Sequence, residues 1–510
     1  MAASGRGNRR PYREVQGHKP MMHDRGKSHS PILPEKSPNN APSGAAEGME
    51  GRGLAKGKTL EHNTLRTQGR DGVHHALERI REAAKDKGKR FTALFHHVYS
   101  VELLRESYFD LRREAAPGID GETWRHYGGN LDEHLRDLSC RLKRGAYRAR
   151  PVRRAYVPKG DGRERPIGLP VLEDKIVQRA VTEVLNAIYE QDFIGFSYGF
   201  RPGRSAHQAL DMLVVGLMTR KVNWVLDADI QKFFDTLDQR WLVTCIERRI
   251  GDRRIVRLIQ KWLKAGVLEK GKWTASEVGT VQGGSISPLL ANIYLHYVFD
   301  LWVHHWRKTQ AGGEVIVVRY ADDFIVGFKY RREAERLLAD LRRRLQRFGL
   351  ALHPDKTRIL QFGRFARQDR SCCGQGKPET FNFLGFTHIC GRTKQGKFTV
   401  LRKTMRTRLQ AKLKEVRQEL RQRMHDPIPE HGAYLRSVVG GHIRYYGVPL
   451  NGRSISTFHK EVCWLWLKVL KRRSQKDRMT WDKMKRLVNR WLPPARVCHP
   501  YSLDRVGVTT

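Results

Sequence analysis

Residues 315–328 read VIVVRYADDFIVGF. Two β-branched, apolar runs flank the acids, so the stretch predicts a β hairpin with Ala321, Asp322 and Asp323 at its bend. Asp is a poor strand former, and adjacent carboxylates partly withdrawn from water repel one another unless a cation compensates them. A divalent metal is one resolution of that conflict. The other is an Asp-rich turn open to solvent, which would suffice for an isolated pair.

The pair is not isolated. At 222–230 the chain reads VNWVLDADI, a strand pattern that puts Val222, Trp224, Leu226, Ala228 and Ile230 on one face and Asp227 and Asp229 on the other. Asp229 stands at the end of that strand, where a third carboxylate can reach the same metals. Between the two acid-bearing strands lies GTVQGGSISPLLANIYL, at 279–295. Gly279, Gly283 and Gly284 free its backbone to approach a ligand closely. Ser287 and Pro288 then read as the cap and first residue of a helix, with Leu290, Ile293, Tyr294, Tyr297 and Leu301 on one side. A further hairpin is expected from Pro151 to Pro170, tipped by Gly160, Asp161 and Gly162, with Lys159 and Arg165 on its two arms.

Helical periodicity runs through Ala334, Leu337, Leu338, Leu341, Leu345 and Phe348, and again through Met405, Leu409, Leu413, Val416, Leu420 and Met424. Interleaved strands and helices predict a mixed α+β core, followed by a mostly helical tail. No internal repeat of fixed period is present.

Length and charge narrow the class. The chain has 510 residues, 96 Lys+Arg against 53 Asp+Glu, and a formal charge of +43. Such an excess calls for a polyanion, nucleic acid or an anionic membrane face. The most apolar stretch, Ser287 to Trp306, is interrupted by Asn292, His296, Asp300, His304 and His305, short of the roughly 20 apolar residues of a spanning helix. The seven cysteines are scattered and odd in number, which fits a reducing compartment. The basic start MAASGRGNRRPYREVQ lacks the apolar core of an export signal. A nucleic-acid-associated cytoplasmic protein of a prokaryote is expected, with an organelle as the alternative. The charge is uneven: 13 basic and 6 acidic residues in 1–70, 58 and 39 in 71–399, and 25 and 8 in 400–510.

In chain order the sequence carries PGIDG (117–121), RPIGLP (165–170), YGFRPGRS (198–205), DADIQKFFD (227–235), QGGSISPLLANIYL (282–295), YADDF (320–324), HPDKT (353–357), FLGF (383–386) and GHIRYYG (441–447). This series resembles the reverse transcriptase/maturase proteins encoded by group II introns, from about residue 75 onward. The resemblance implies a right-hand polymerase, with fingers and palm of mixed α/β structure, a helical thumb and a mostly helical maturase domain. Its implied divisions are a basic leader without stable structure at 1–70, an N-terminal extension and fingers with part of the palm at 71–220, the palm at 221–375, the thumb at 376–430, and maturase domain X with a short tail at 431–510, with no nuclease domain.

The same resemblance implies roles for single residues. Asp229, Asp322 and Asp323, with the carbonyl of Ile230, match the ligands of two Mg²⁺ ions. Lys159 and Arg165 match the fingers residues that hold the incoming triphosphate. Phe234 matches the aromatic that closes off space for a 2′ hydroxyl, Phe233 reading as core, and Gln282 and Gly283 match contacts to the new base pair and sugar. Lys356 matches a lysine proposed to protonate the pyrophosphate leaving group, a phosphate-facing structural lysine being the alternative. Arg444, Lys471, Arg472 and Arg473 fall in the region that docks on RNA. Tyr445 and Tyr446 either pack or stack on bases, and Trp464 and Trp466 are expected in the helix core. The implied partners are intron RNA, an RNA template with DNA primer, dNTPs and a DNA target.

Two departures stand out. Val281 occupies the position where the family usually has Pro, and Cys372, Cys373, His388 and Cys390 lack the paired CxxC spacing of a nuclease zinc site. The expected function is RNA-templated DNA synthesis coupled to splicing and mobility of an intron. The alternatives are an RNA-binding splicing cofactor with a relic polymerase, and a host-adopted reverse transcriptase serving defence or repair.

Overall fold

The computed structural model describes residues 63–158, 164–269, 272–274, 279, 283–473 and 479–506. Lys159 and the expected hairpin tip at 160–162, Gln282, and residues 1–62 of the expected leader lie outside the described residues. Among the described residues the first element is the helix Asn63–Ala84, whose first eight residues fall inside the stretch expected as leader. Its Leu77, Ile80 and Ala84, spaced by three and four residues, are buried in the main core, and the helix packs on Leu172–Asp192. That second helix is buried on most of its circumference: Ile176, Val177, Ala180, Val181, Val184, Leu185, Ala187, Ile188 and Tyr189 are fully buried, and the polar Asp174, Lys175, Gln178 and Thr182 are buried with them.

Eleven strands are found among the described residues, and the chain is an α+β protein. They are β1 (Val152–Pro158), β2 (Glu164–Leu169), β3 (Trp224–Asp229), β4 (Val267–Glu269), β5 (Lys272–Thr274), β6 (Val315–Tyr320), β7 (Asp323–Phe328), β8 (Arg358–Gln361), β9 (Phe381–Phe383), β10 (Phe386–Arg392) and β11 (Phe398–Thr404). They form three sheets, ordered β2-β1-β4-β5, β6-β7-β3-β8 and β11-β10-β9. In the second, β7 and β8 flank β3, both antiparallel to it, with Asp229 opposite Asp323.

β3 alternates as its sequence requires. Leu226, Ala228 and Ile230 enter the main core, while Val225 enters a second cluster with Val318, Ile325, Leu360, Phe381, Phe383 and Phe386. Val222 joins that second cluster, contrary to the expected face, because the strand and its period of two begin only at Trp224. The turn between β9 and β10 is two residues long, with Leu384 at φ 47° and Gly385 at φ 80°. Paired positive φ values match the right-handed twist of the strands. The Tyr445 hydroxyl donates to the Leu384 carbonyl at 2.8 Å, and a Cβ on Gly385 would meet the Tyr446 hydroxyl at 2.9 Å. Both tyrosines therefore pack.

The helices Arg406–Gln422, Ile428–Tyr446, Gly452–Lys471 and Trp481–Trp491 enclose a third cluster, with Val416, Leu420, Leu435, Val439, Phe458, Val462, Trp466 and Met484 buried in it. Trp466 sits in that core, but Trp464 does not: two residues along a helix is a rotation of about 200°, and Trp464 is turned to solvent. A second correction concerns Ser287. Ile286 takes the N-cap position, Ser287 begins the helix Ser287–Leu295, and Pro288 occupies the first turn, where its missing N–H leaves nothing unpaired. A π-helical turn, His296–Asp300, then rotates the register, so Leu301 is exposed whereas Leu290, Ile293 and Tyr294 are buried.

The helix Ala206–Thr219 ties the end of the described chain to the second cluster. Asp211 accepts from Arg402 at 2.9 Å and Ser502 at 2.7 Å, and its other oxygen lies 2.8 Å from Arg505. Replacing Asp211 with Ala leaves the buried Arg402 guanidinium without its carboxylate, which is expected to cost about 3–5 kcal/mol. Urea denaturation would measure that loss, and accelerated proteolysis near residues 500–506 should accompany it; an unchanged midpoint would show that the contact holds nothing.

Candidate active site

The bend between β6 and β7 contains only Ala321 and Asp322, because Tyr320 already pairs with Asp323. Ala321 has φ 57°, a conformation unfavourable for a residue with a Cβ, so the surroundings must hold it. Two neighbours do. Gly199 lies so close that a Cβ there would stand 2.4 Å from the Ala321 nitrogen. Arg319, fully buried, donates to the Ala321 carbonyl at 2.9 Å.

All five N–H groups of Arg319 are used. Nε donates to Asp300 Oδ1 at 2.7 Å, Nη1 to Ala321 O and to Asn292 Oδ1 at 3.0 Å, and Nη2 to Asp300 Oδ2 and Ser197 Oγ, each at 2.6 Å. Asn292 in turn donates to the Gly199 carbonyl at 2.7 Å. Asp300 is also fully buried and stands on the π-helical turn.

Above this base the carboxylates collect. Burial and then the charge of Asp229 push the Asp322 carboxyl up to about 6. Asp323 is pushed well above the usual range by burial, with Asp227, Asp229 and Asp322 adding to it. Asp227, two residues before Asp229 on β3, is raised to about 6 by burial, against the pull of Arg358, 3.5 Å away. The ammonium of Lys356 lies 2.5 Å from Asp229 Oδ2. Its loop is fixed by the chain itself: His353 N donates to Asp229 O at 2.8 Å, and Ile230 bridges to Leu352.

Buried and half-buried acids, close in register and faced by the exposed cations Lys356 and Arg358, form a set of hard oxygen donors of the kind a divalent cation takes. Among the described residues no three His, Cys, Asp or Glu groups converge as a complete metal cage. That is the ordinary situation for Mg²⁺, which takes one or two carboxylates and completes its shell with water and substrate phosphates.

The remaining expected residues are placed as follows. Arg165 pairs with Val157 across the first hairpin, and its charge acts on Asp322. Gly283 has φ 114°, and a Cβ there would meet the Gly168 carbonyl at 2.4 Å, so its loop lies against β2. Phe234 is half-buried, edge-on to the buried Phe233 with centroids 5.4 Å apart, and Gly279 abuts the Phe234 carbonyl. Arg444, Lys471 and Arg472 are exposed on the C-terminal helices. Arg473 is half-buried and donates to the Asp426 carbonyl at 2.6 Å, which makes it a tie within the fold. His388 is buried flat against Phe381, and the Cys390 thiol donates weakly to the Gly363 carbonyl at 3.7 Å.

Sequence reasoning did not assign Ser197, Gly199, Asn292, Asp300, Arg319 or the pairing of Asp227 with Arg358. A signal existed for two of them: Asn292 and Asp300 interrupt an apolar stretch, and a polar group in such a stretch needs a buried partner.

Residues 157–388 match the family described as "Reverse transcriptase (RNA-dependent DNA polymerase)". The chain is similar to Protein YkfC of Escherichia coli, 33% identical over 353 residues, which covers 62% of this chain and 88% of that protein. It is also similar to the group II intron-encoded protein LtrA of Lactococcus lactis, 36% identical over 222 residues, covering 43% of this chain and 37% of that protein. The putative COX1/OXI3 intron 1 protein of Saccharomyces cerevisiae is 26% identical over 308 residues, covering 51% of this chain and 37% of that protein.

Two stability measurements follow from the geometry. Asp322 binds its proton more tightly folded, at about 6, than unfolded, at about 3.9. The ionised form therefore destabilises the fold, a penalty absent below about pH 4 and complete above about pH 6. Asp322→Asn in EDTA at pH 7.5 should melt roughly 2–5 °C higher than the parent, the gap closing toward pH 4; a variant that melts lower would contradict this. Gly199→Ala forces backbone against backbone and should lose about 1–3 kcal/mol in denaturant titration.

Proposed function

The chain belongs to the reverse transcriptase/maturase family encoded by group II introns, and from that premise we propose how its residues divide the work. It is an RNA-directed DNA polymerase. In our reading the sheet β6-β7-β3-β8 is the palm, the hairpin β1–β2 belongs to the fingers, and the C-terminal helices form the thumb and maturase domain X.

Asp229, Asp322 and Asp323, with the Ile230 carbonyl, would hold two Mg²⁺ ions, which when bound lower the barrier to attack by the primer 3′ hydroxyl and neutralise the leaving pyrophosphate. The observation that carries this is electrostatic. Asp322 and Asp323 are held away from easy ionisation by burial and then by neighbouring carboxylates, Asp229 acting on both, so the fold stores a demand for cations at this one bend. Lys356 and Arg165 are the two cations whose charge already reaches Asp322. Arg165, with Lys159 on the facing arm of the hairpin, would bind the triphosphate. Lys356 would leave Asp229 for the pyrophosphate oxygens and donate a proton there.

Phe234 would favour deoxynucleotides by filling the space of a 2′ hydroxyl. Its support is the carbonyl-to-glycine contact with Gly279, which fixes the ring's loop. Gln282 and Gly283 would border the new base pair. The excess of bases over acids in 400–510, 25 against 8, supports binding of intron RNA, and with it splicing and retromobility, by the C-terminal helices.

Primer extension on an RNA template with Mg²⁺ tests the polymerase directly. Asp229→Asn should lower the rate by at least about 10³-fold while leaving binding of structured RNA within about twofold. Extension by this variant at the parental rate would overturn the assignment of the site. Retained RNA binding without extension by the parent protein would favour the splicing-cofactor reading.

A further inference from the structure

We propose that Trp464 and Trp481 form a platform on which unpaired RNA bases stack, flanked by cations that hold the adjacent phosphates. The proposal rests on the reading that the C-terminal helices dock on RNA, and it names the part of the RNA they take.

Trp464 is 55% exposed and Trp481 40% exposed, on the helices Gly452–Lys471 and Trp481–Trp491. Their ring centroids are 4.6 Å apart at an interplanar angle of 87°. An edge-to-face pair fixes the ring planes before any ligand arrives, so little side-chain entropy remains to be lost on binding. The aromatic core of this region lies elsewhere: Trp466 and Phe458 point inward, and neither exposed tryptophan is needed to close the third cluster.

The charges around the pair are regular. On the first helix Lys460, Trp464, Lys468 and Lys471 follow one another at intervals of four, four and three residues, which sets all four side chains on one face. All are exposed, as is Arg472. Among the described residues, no carboxylate lies within ion-pair distance of Lys460, Lys468, Lys471 or Arg472. A face that sets an exposed aromatic ring among cations, with a second ring fixed beside it, is complementary to a chain of phosphates and bases. A duplex hides its base faces, so single-stranded RNA is the occupant that uses both features. Single-stranded RNA uses the ring planes held by the edge-to-face pair as well as the lysine charges, whereas an anionic lipid surface would use the charges and the apolar area of the rings without their orientation.

The test uses the full-length protein with its polymerase cleft filled by excess primer–template duplex, and reads the anisotropy of a labelled 12-nucleotide single-stranded RNA. Trp464→Ala should weaken binding about tenfold without altering the dependence on salt, and Trp464→Phe should recover part of the loss. Lys468→Ala should reduce the salt slope by about 0.7. Heparin, a polyanion without bases, should bind the tryptophan variants as it binds the parent. Parental affinity in both Trp464→Ala and Trp481→Ala, or an equal loss for heparin, would overturn the platform alone. Should the parent bind neither single-stranded nor structured RNA, the docking reading itself fails. Loss confined to anionic vesicles would assign the pair to a membrane face and refute the proposal.

Discussion

The structure depends on one buried guanidinium. Arg319 has no contact with water, and each of its five N–H groups ends on a different oxygen: two on Asp300 and one each on Ser197, Asn292 and Ala321. A buried ion pair contributes little net stability unless its hydrogen bonds are complete, but breaking one is severe. Completeness here draws in three stretches of chain: Ser197, next to the motif YGFRPGRS; the helix after QGG with the π-helical turn that continues it; and β6 with the bend that follows. Segments far apart in sequence thereby meet under the bend that carries Asp322.

The upper side of the same bend is built in the opposite sense. Beneath it every charge is satisfied, and above it the carboxylates are crowded and partly buried, with Lys356 on Asp229, Arg358 on Asp227 and the more distant Arg165 as cations among the described residues. A fold can retain such a conflict only if the base is rigid, because carboxylates on a soft loop would move apart into water. The satisfied network and the unsatisfied cluster are two halves of one arrangement. Stability is surrendered where chemistry needs a demand for cations, and it is secured one residue away.

Much of this was legible in the sequence. Period-two alternation gave β3, β6 and β7, and the placement of Asp229 opposite the Asp322–Asp323 bend follows from antiparallel pairing of strands with those patterns. Periods of three and four located the helices at 331–347 and 406–422. The Arg319 network was not legible, since hydrogen bonds that join positions 19, 27 and 122 residues apart leave no local period. The π-helical turn was missed for a related reason: an extra residue in one turn conflicts with the regular spacing from which a helix face is read, and Leu301 was assigned to the wrong side. Trp464 and Trp466 show the same limit in miniature, because composition treats them alike and only rotation about the helix separates core from surface.

The clasp on Asp211 bears on how the chain reaches this state during synthesis. Arg402 follows Asp211 by 191 residues and Ser502 by 291. At about 5–20 residues per second, the ribosome takes roughly 15–60 s to deliver Ser502 after Asp211 has emerged. Until Arg402 arrives the carboxylate has neither of these partners, and until Ser502 arrives the clasp is incomplete, so the helix Ala206–Thr219 cannot bury its Asp211 face in final form. The helix Ala206–Thr219 and the cluster it packs on therefore wait, open along that face, for the residues around Arg402 and Ser502 to be made.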